Sequence, residues 1–170
     1  MPLPPPSNLT VKEQKTVLES TAIRYLSYRP RFKAEIFTRL GQKAKELNLK
    51  DPFTLINQIV ESLEKSGFLN DQKMLESYIR LRLQEKVKGP YWIKPRLLHL
   101  GLSKSSIEAA LKEYANRETQ LEVIRKYLSK KSRNRALDLK EKAKLFRSLI
   151  ARGFSAELIS QAFDQNPTWE

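Results

Sequence analysis

The sequence predicts an all-α protein, an elongated tandem array of three three-helix repeats with about nine helices. Apolar residues recur at helical spacing in every long segment, as they do over 53–63, and no segment shows the alternation typical of a strand. Three of the five glycines also share one context: Gly67, Gly101 and Gly153 each follow an apolar helix end and precede a polar helix start. These two observations together favour repeated helix–glycine–helix corners.

The first predicted repeat covers 11–69 and follows a proline-rich tail at 1–10, which we expect to be flexible. Its helices are predicted at 11–28, 30–48 and 52–66. Pro30 separates the first two, because proline disfavours helical backbone at the residue before it. Asp51 and Pro52 suit the start of the third helix, as an N-cap followed by proline at the first helical position.

The second repeat is predicted at 70–117 and the third at 118–170. Their helices are predicted at 71–87, 90–100, 104–115, 119–131, 138–152 and 156–165. Asn70, Ser103 and Ser155 each stand at an N-cap position just after a glycine corner.

At each corner we expect the glycine to adopt a positive φ and so end the helix. The residue after the glycine should then pack back on that helix; these residues are Phe68, Leu102 and Phe154. Superposing the corners aligns Leu63 with Leu97 and Leu149. Units of about 50 residues bury little surface alone and gain stability by stacking. The alternative is a single compact helical domain in which Gly-apolar-Ser is merely a common helix ending.

The net charge of +13 over 170 residues indicates a polyanionic partner. Residues 80–104 carry 7 basic and 1 acidic side chains, and residues 122–147 carry 10 and 3. Such blocks most often attract nucleic acid, with an affinity that falls as salt rises. The alternative is a solubilising surface. Because no apolar run reaches about 18 residues and no signal peptide is evident, we expect a cytoplasmic protein that does not enter a membrane.

The sequence offers no catalytic site. It has no cysteine, and its one histidine, His99, lies among leucines, where packing or surface roles are commoner than catalysis. No glycine forms a nucleotide-binding motif. Acidic residues are scattered at ion-pair spacings and do not cluster as in a two-metal nuclease. We therefore predict a protein that is not an enzyme and needs no cofactor or metal.

Two basic stretches contain most of the predicted binding residues. In 80–96, a Gly-Pro corner carries Trp92, which can stack on bases, anchor a protein partner or belong to the core. In 125–147, cations lie in a connection between helices, which is either a contact for phosphates and acidic surfaces or a solvated linker. A weaker indication is the pair Arg29 and Arg31 near a helix start, where the dipole disfavours cations and an anionic partner would help. The predicted binding residues are Arg29, Arg31, Arg80, Arg82, Lys86, Lys88, Trp92, Lys94, Arg96, Lys130, Lys131, Arg133 and Arg135.

The chain contains four segments in this order: AIRYLSYRPRFKAEIFTRL, IVESLEKSGFLNDQKMLESYIRLRL, KGPYWIKPRLLHLGLSKSSIEAAL and AKLFRSLIARGFSAELISQAF. Through them, residues 17–165 resemble the RecX family of recombinase regulators. The specific elements are the Tyr-Leu-Ser-x-Arg-Pro-Arg start, the Gly-Phe-Leu-Asn-Asp corner, the Lys-Gly-Pro turn and the Arg-Gly-Phe-Ser corner. Two departures stand out: Val87 replaces a frequent glycine, and Tyr91-Trp92 lies where the family tends to be basic.

The resemblance implies a crescent of three-helix repeats that lies along the groove of the RecA–DNA filament and limits ATP hydrolysis, filament growth and strand exchange. It also implies a monomer whose partners are the RecA filament and single- or double-stranded DNA, bound without sequence specificity. Such a regulator would limit RecA's ATPase, recombinase and coprotease activities, and with them homologous recombination and the SOS response.

The residues leave open a helix-turn-helix protein that acts on duplex or single-stranded DNA without RecA. Its reading helix would follow Gly101, and that helix offers mainly Glu108, Lys112 and Glu113 to the bases.

Overall fold

The computed structural model describes residues 9–132 and 136–165, and every regular element in these ranges is helical. The all-α prediction is confirmed. The helices are α1 (Val11–Tyr28), α2 (Lys33–Glu46), α3 (Phe53–Lys65), α4 (Asp71–Arg80), α5 (Pro90–His99), α6 (Lys104–Tyr114), α7 (Arg117–Ser132), α8 (Leu139–Ala151) and α9 (Ala156–Asp164). The tail predicted at 1–10 lies, up to residue 8, outside the described residues.

The helix predicted at 71–87 changes its winding partway. It is α-helical through Arg80 and continues over Leu81–Glu85 as a π-helix, which we call the π segment. The N–H of Lys86 then donates to the carbonyl of Leu81 at 3.2 Å, which closes the wide π turn. Hydrophobic periodicity alone did not indicate this change.

The three glycine corners have the same backbone geometry. The φ angles of Gly67, Gly101 and Gly153 are 74°, 85° and 88°. Each glycine N–H donates to the carbonyl three residues back at 2.9 Å, and the next N–H donates five residues back at 2.9, 3.3 and 3.2 Å. The carbonyls reached by that second bond belong to Leu63, Leu97 and Leu149. This is the Schellman ending, and it aligns the leucines that the sequence aligned.

The residue after the glycine is buried to different extents at the three corners. Phe154 is buried and Leu102 is half-buried, as expected. Phe68 is 69% exposed, so the expectation was wrong there. Leu69, one residue later, is buried in its place within the core.

The predicted helix starts are largely confirmed. Asn70, Ser103 and Ser155 each accept the backbone N–H three residues ahead, at 2.9, 3.1 and 3.3 Å. At α3 the prediction was one residue early, because Pro52 holds the cap position and Asp51 has a φ of 45°.

The chain forms two compact units, the first ending at Met74 and the second beginning at Leu75. In the first unit α1 packs on α2 and α3, and α2 packs on α3. Its core consists of Leu18, Ala22, Ile36, Leu40, Ala44, Ile56, Ile59, Val60, Leu63 and Leu69. All of these side chains except Leu69 come from α1, α2 and α3, so the unit has a hydrophobic centre of its own.

In the second unit α5 packs on α6, α7 packs on α9 and on the π segment, and α8 packs on α9. Its largest fully buried side chains include Ile79, Leu83, Ile93, Leu97, Ile107 and Leu121. The division into repeats at 11–69, 70–117 and 118–170 stays a prediction. Within the described ranges, no helix has the length and apolar character needed to cross a membrane.

Candidate polyanion-binding surface

The start of α5 is fixed by the end of α8. The N–H of Gly89 donates to the carbonyl of Arg152 at 2.8 Å, and the N–H of Tyr91 donates to the carbonyl of Gly153 at 3.1 Å. A Cβ added to Gly89 would lie 2.2 Å from the Gly153 oxygen, and one added to Gly153 would lie 2.3 Å from the nitrogen of Trp92. Two glycine motifs far apart in sequence therefore meet through backbone, and this contact holds the Trp92 region in place.

Trp92 is half-buried and surrounded by cations. The guanidinium of Arg96 lies 3.4 Å from the centroid of the indole ring, Lys88 Nζ lies 4.9 Å away and the guanidinium of Arg82 lies 6.0 Å away. Trp92 and Arg96 are four residues apart on α5, which places them on one helical face, and Lys88 lies in the turn just before the helix cap. Arg96 covers a face of the ring, so this cluster presents positive charge rather than an open stacking platform.

Several predicted binding residues have an internal carboxylate partner. Arg29 and Arg31 both contact Glu35, at 2.8 and 3.2 Å, and Glu35 also accepts the N–H of Phe32 at 3.1 Å. The carboxylate thus offsets the two cations at the start of α2. The anion that the sequence suggested for this end is present within the chain.

The same holds for two residues of the first basic stretch. Arg80 contacts Glu76 at 2.9 Å, and Lys94 contacts Glu108 at 2.5 Å. The hydrogen bond from Lys94 lowers the pKa of Glu108 below its ordinary value, so this carboxyl is ionised at neutral pH. Since Glu108 lies on α6, the pair ties α5 to α6 and occupies one of the few residues that α6 offers for reading bases.

The remaining predicted cations have no ion pair in the described part of the chain. We call them the unpaired cations: Arg82, Lys86, Lys88, Arg96, Lys130 and Lys131. All six lie in the second unit. The Nε of Arg82 is buried without a hydrogen-bond partner. Arg133 and Arg135 lie outside the described residues.

Sequence reasoning missed three side chains near this surface. Arg152 donates through Nη1 to the carbonyl of Lys86 at 3.2 Å, and its guanidinium lies 5.0 Å from the ring of Tyr127. Lys126 lies one residue before Tyr127, on the same helix as Lys130. The position of Arg152 just before Gly153 was a usable signal, but the sequence does not show which way that side chain points.

The described residues hold no group of three histidine, aspartate or glutamate side chains placed to bind a metal ion. The arrangement offers charge and hydrogen-bond donors from lysine and arginine. Such groups bind phosphates and carboxylates.

Comparison with known families matches residues 118–163 to the family described as "RecX, third three-helix domain". Regulatory protein RecX of Oceanobacillus iheyensis is 30% identical over 95% of this chain and 59% of its own length. Regulatory protein RecX of Halalkalibacterium halodurans is 33% identical over 91% of this chain and 55% of its own length. This chain thus spans between half and three fifths of the length of these relatives.

Two solved structures are also similar. The crystal structure of RecX from Lactobacillus salivarius is 25% identical, with a TM-score of 0.72 over 91% of this chain and 97% of that one. A crystal structure of regulatory protein RecX, also 25% identical, gives a TM-score of 0.65 over 94% of this chain and 80% of that one. The similarity therefore covers nearly all of the helical part of the chain.

Proposed function

Because this chain belongs to the RecX family of regulatory proteins, we propose that it binds the RecA–DNA filament and limits the filament's ATPase, recombinase and coprotease activities. It acts in the cytoplasm, as a non-catalytic monomer of three-helix repeats at 11–69, 70–117 and 118–170. By limiting RecA it restrains homologous recombination and the SOS response. Its contacts with DNA are made to the backbone and carry no sequence specificity.

The observation that carries this proposal is the division of the cations into paired and unpaired sets. Arg29, Arg31, Arg80 and Lys94 are offset by carboxylates of the same chain. The six unpaired cations lie in the second unit. Because no carboxylate of the described residues pairs with them, their charge is available to an external anion. A filament of protein and DNA offers phosphates and acidic side chains in regular repetition, which suits an extended set of such cations.

The direct test is RecA's DNA-dependent ATPase, measured with increasing amounts of this protein and paired with co-sedimentation of the filament across salt concentrations. We expect inhibition and binding that both weaken as salt rises. Absence of both effects would contradict the proposal. DNA binding that leaves RecA unaffected would instead favour the helix-turn-helix alternative.

A matched pair of variants makes the test residue-specific. K88Q/R96Q removes two unpaired cations beside Trp92, and K94Q/R117Q removes two that pair with Glu108 and Glu157. Each variant loses one lysine and one arginine from the second unit, so the net charge falls equally. We expect the half-inhibitory concentration to rise roughly tenfold for the first variant and about twofold or less for the second. Equal losses would mean that only net charge matters.

A further inference from the structure

A cavity of about 580 Å³ lies within the second unit. One wall is the end of the π segment and the turn after it, over residues 84–87. The opposite wall is one face of α7, because residues 119, 122, 123, 126, 127, 130 and 131 follow helical spacing. Arg152, just after α8, lines it as well. The volume is in the range of sites that take small ligands.

The lining of this cavity has an excess of positive charge. Its cations are Lys86, Lys126, Lys130, Lys131 and Arg152. Its carboxylates are Glu85 and Glu122, and Glu122 is engaged by Lys126 at 2.7 Å. The other four cations make no ion pair with the described residues. Concave walls concentrate such a field and favour an anionic ligand.

Tyr127 holds two of these cations in position. Its hydroxyl is 3.1 Å from the Ser148 Oγ, which fixes the ring. The guanidinium of Arg152 lies 5.0 Å from the ring centroid, and Lys131 Nζ lies 5.8 Å from it. Arg152 also donates to the carbonyl of Lys86 at 3.2 Å. Arg152 and Lys131 are therefore arranged before any ligand arrives, which lowers the entropic cost of binding.

The backbone of the same wall is unusual in two respects. Val87 has a φ of 51°, a left-handed conformation that a β-branched residue rarely adopts. The π segment directly precedes it in the chain. The N–H of Lys88, which donates to the carbonyl of Arg82 at 2.8 Å, helps to hold this turn. Strained backbone of this kind and π-helical turns concentrate at functional sites.

We propose that this cavity binds a compact polyphosphate, meaning a ligand with several linked phosphate groups such as a nucleoside triphosphate or inorganic polyphosphate. Linked phosphates place several negative charges within a small volume, which matches cations that converge from three elements. Arginine and lysine supply the fork and the point charges that phosphate oxygens accept. A nucleic-acid strand instead spreads one charge per nucleotide along an extended backbone.

The test uses the full chain alone, without RecA or DNA, so it does not depend on the function proposed above. Isothermal titration at near-physiological salt is carried out with tripolyphosphate, with ATP and with adenosine. We expect saturable binding of tripolyphosphate and none of adenosine. Equal affinity for ATP would assign recognition to the phosphates, and tighter binding of ATP would identify a nucleotide as the ligand. Absence of saturable binding of tripolyphosphate and ATP up to roughly millimolar concentration would overturn the proposal.

K130Q/K131Q is the decisive variant, because both lysines are exposed and line the cavity. K104Q/K112Q is its control: these lysines are exposed on α6, lie outside the cavity and belong to the same unit. We expect the dissociation constant for tripolyphosphate to rise at least roughly tenfold in the first variant and less than about twofold in the control. If the first variant fails to fold by circular dichroism, K86Q replaces it with the same expectation. Equal weakening in variant and control would show diffuse charge attraction and overturn the proposal.

Discussion

Gly89 and Gly153 show how single residues determine the geometry of the second unit. Two features require glycine at position 153: its φ is 88°, and a Cβ there would meet the backbone of Trp92. Only one feature requires glycine at position 89. Its φ of −80° suits any residue, but the close approach of Gly153 excludes a side chain. Gly67 is the complementary case, with a φ of 74° and nothing within 4 Å of an added Cβ.

Alanine substitution of these three glycines separates two contributions to the loss of stability. One is the strain of a side chain on left-handed backbone, and the other is the steric contact of the added Cβ with neighbouring backbone. For G67A we expect about 1–2 kcal/mol of destabilisation, from the left-handed backbone alone. For G89A we expect about 3 kcal/mol, since the backbone contact must open. For G153A we expect about 4 kcal/mol or more, because both costs apply. Hydrogen exchange resolved by peptide measures the free energy of unfolding in each unit.

The order of the three losses is the critical outcome. If G89A cost no more than G67A, the contact between the two glycine motifs would be less close than the structure shows. Each variant should leave the helices of the other unit protected from exchange.

Among the elements, α2 has an unusual N-terminus. Its cap residue is Phe32, whose side chain has no acceptor, so other residues must satisfy the first amides. Glu35 accepts the N–H of Phe32, and Asp71 Oδ1 accepts the N–H of Lys33 at 2.7 Å. Asp71 is the first residue of α4, so one helix start caps another within the first unit.

Substitution of Asp71 should separate the stability that this hydrogen bond contributes from the stability that is lost by burying the carboxylate charge. Burial raises the pKa of Asp71 above 3.8, with the hydrogen bond from the Lys33 backbone opposing that change. The contribution of Asp71 to the stability of the wild type therefore falls as pH rises from 3.8 through the raised pKa, and D71N has no carboxyl to titrate at this position. We expect D71N to gain on the wild type through this window and to be at least as stable at pH 7. D71A should be about 1 kcal/mol less stable at pH 7, because the Lys33 amide loses its acceptor.

Urea unfolding of the three proteins at several pH values measures these differences. If D71N lost as much stability as D71A at neutral pH, the carboxylate charge itself would stabilise the fold.

Most of the helices could be predicted from the sequence, because periodicity, capping residues and glycine corners act locally. The common pattern of hydrogen bonds at Gly67, Gly101 and Gly153 is an example. The cap supplied by Asp71 joins residues 38 positions apart, so local patterns did not reveal it. Hydrophobic periodicity does not distinguish the π segment from a continuing α-helix. The same limit applies to the candidate surface: Lys88 and Lys94 look alike in sequence, and only the position of Glu108 decides which of them is paired.

Across the whole molecule, charge is shared unequally between the two units. Residues 1–74 carry 12 basic and 8 acidic side chains, a net charge of +4, and residues 75–170 carry 20 and 11, a net charge of +9. Both units contain cations without an ion pair among the described residues, but the six unpaired cations of the candidate surface lie in the second unit, whereas Arg29, Arg31 and Lys33 of the first make internal ion pairs. Mutual repulsion therefore opposes folding mainly in the second unit.

Added sodium chloride should consequently stabilise the second unit more than the first. Salt weakens the ion pairs of both units, but it also screens the mutual repulsion of positive charges, and the net positive charge is larger in the second unit. We expect exchange protection in α5–α9 to increase between low and high salt, by about 1 kcal/mol or less, while protection in α1–α3 stays level or falls slightly. K104Q/K112Q, which lowers the charge of the second unit, should show a smaller gain. An equal response in both units would contradict the view that the larger net charge of the second unit, rather than general screening or salting-out, makes its stability depend on salt.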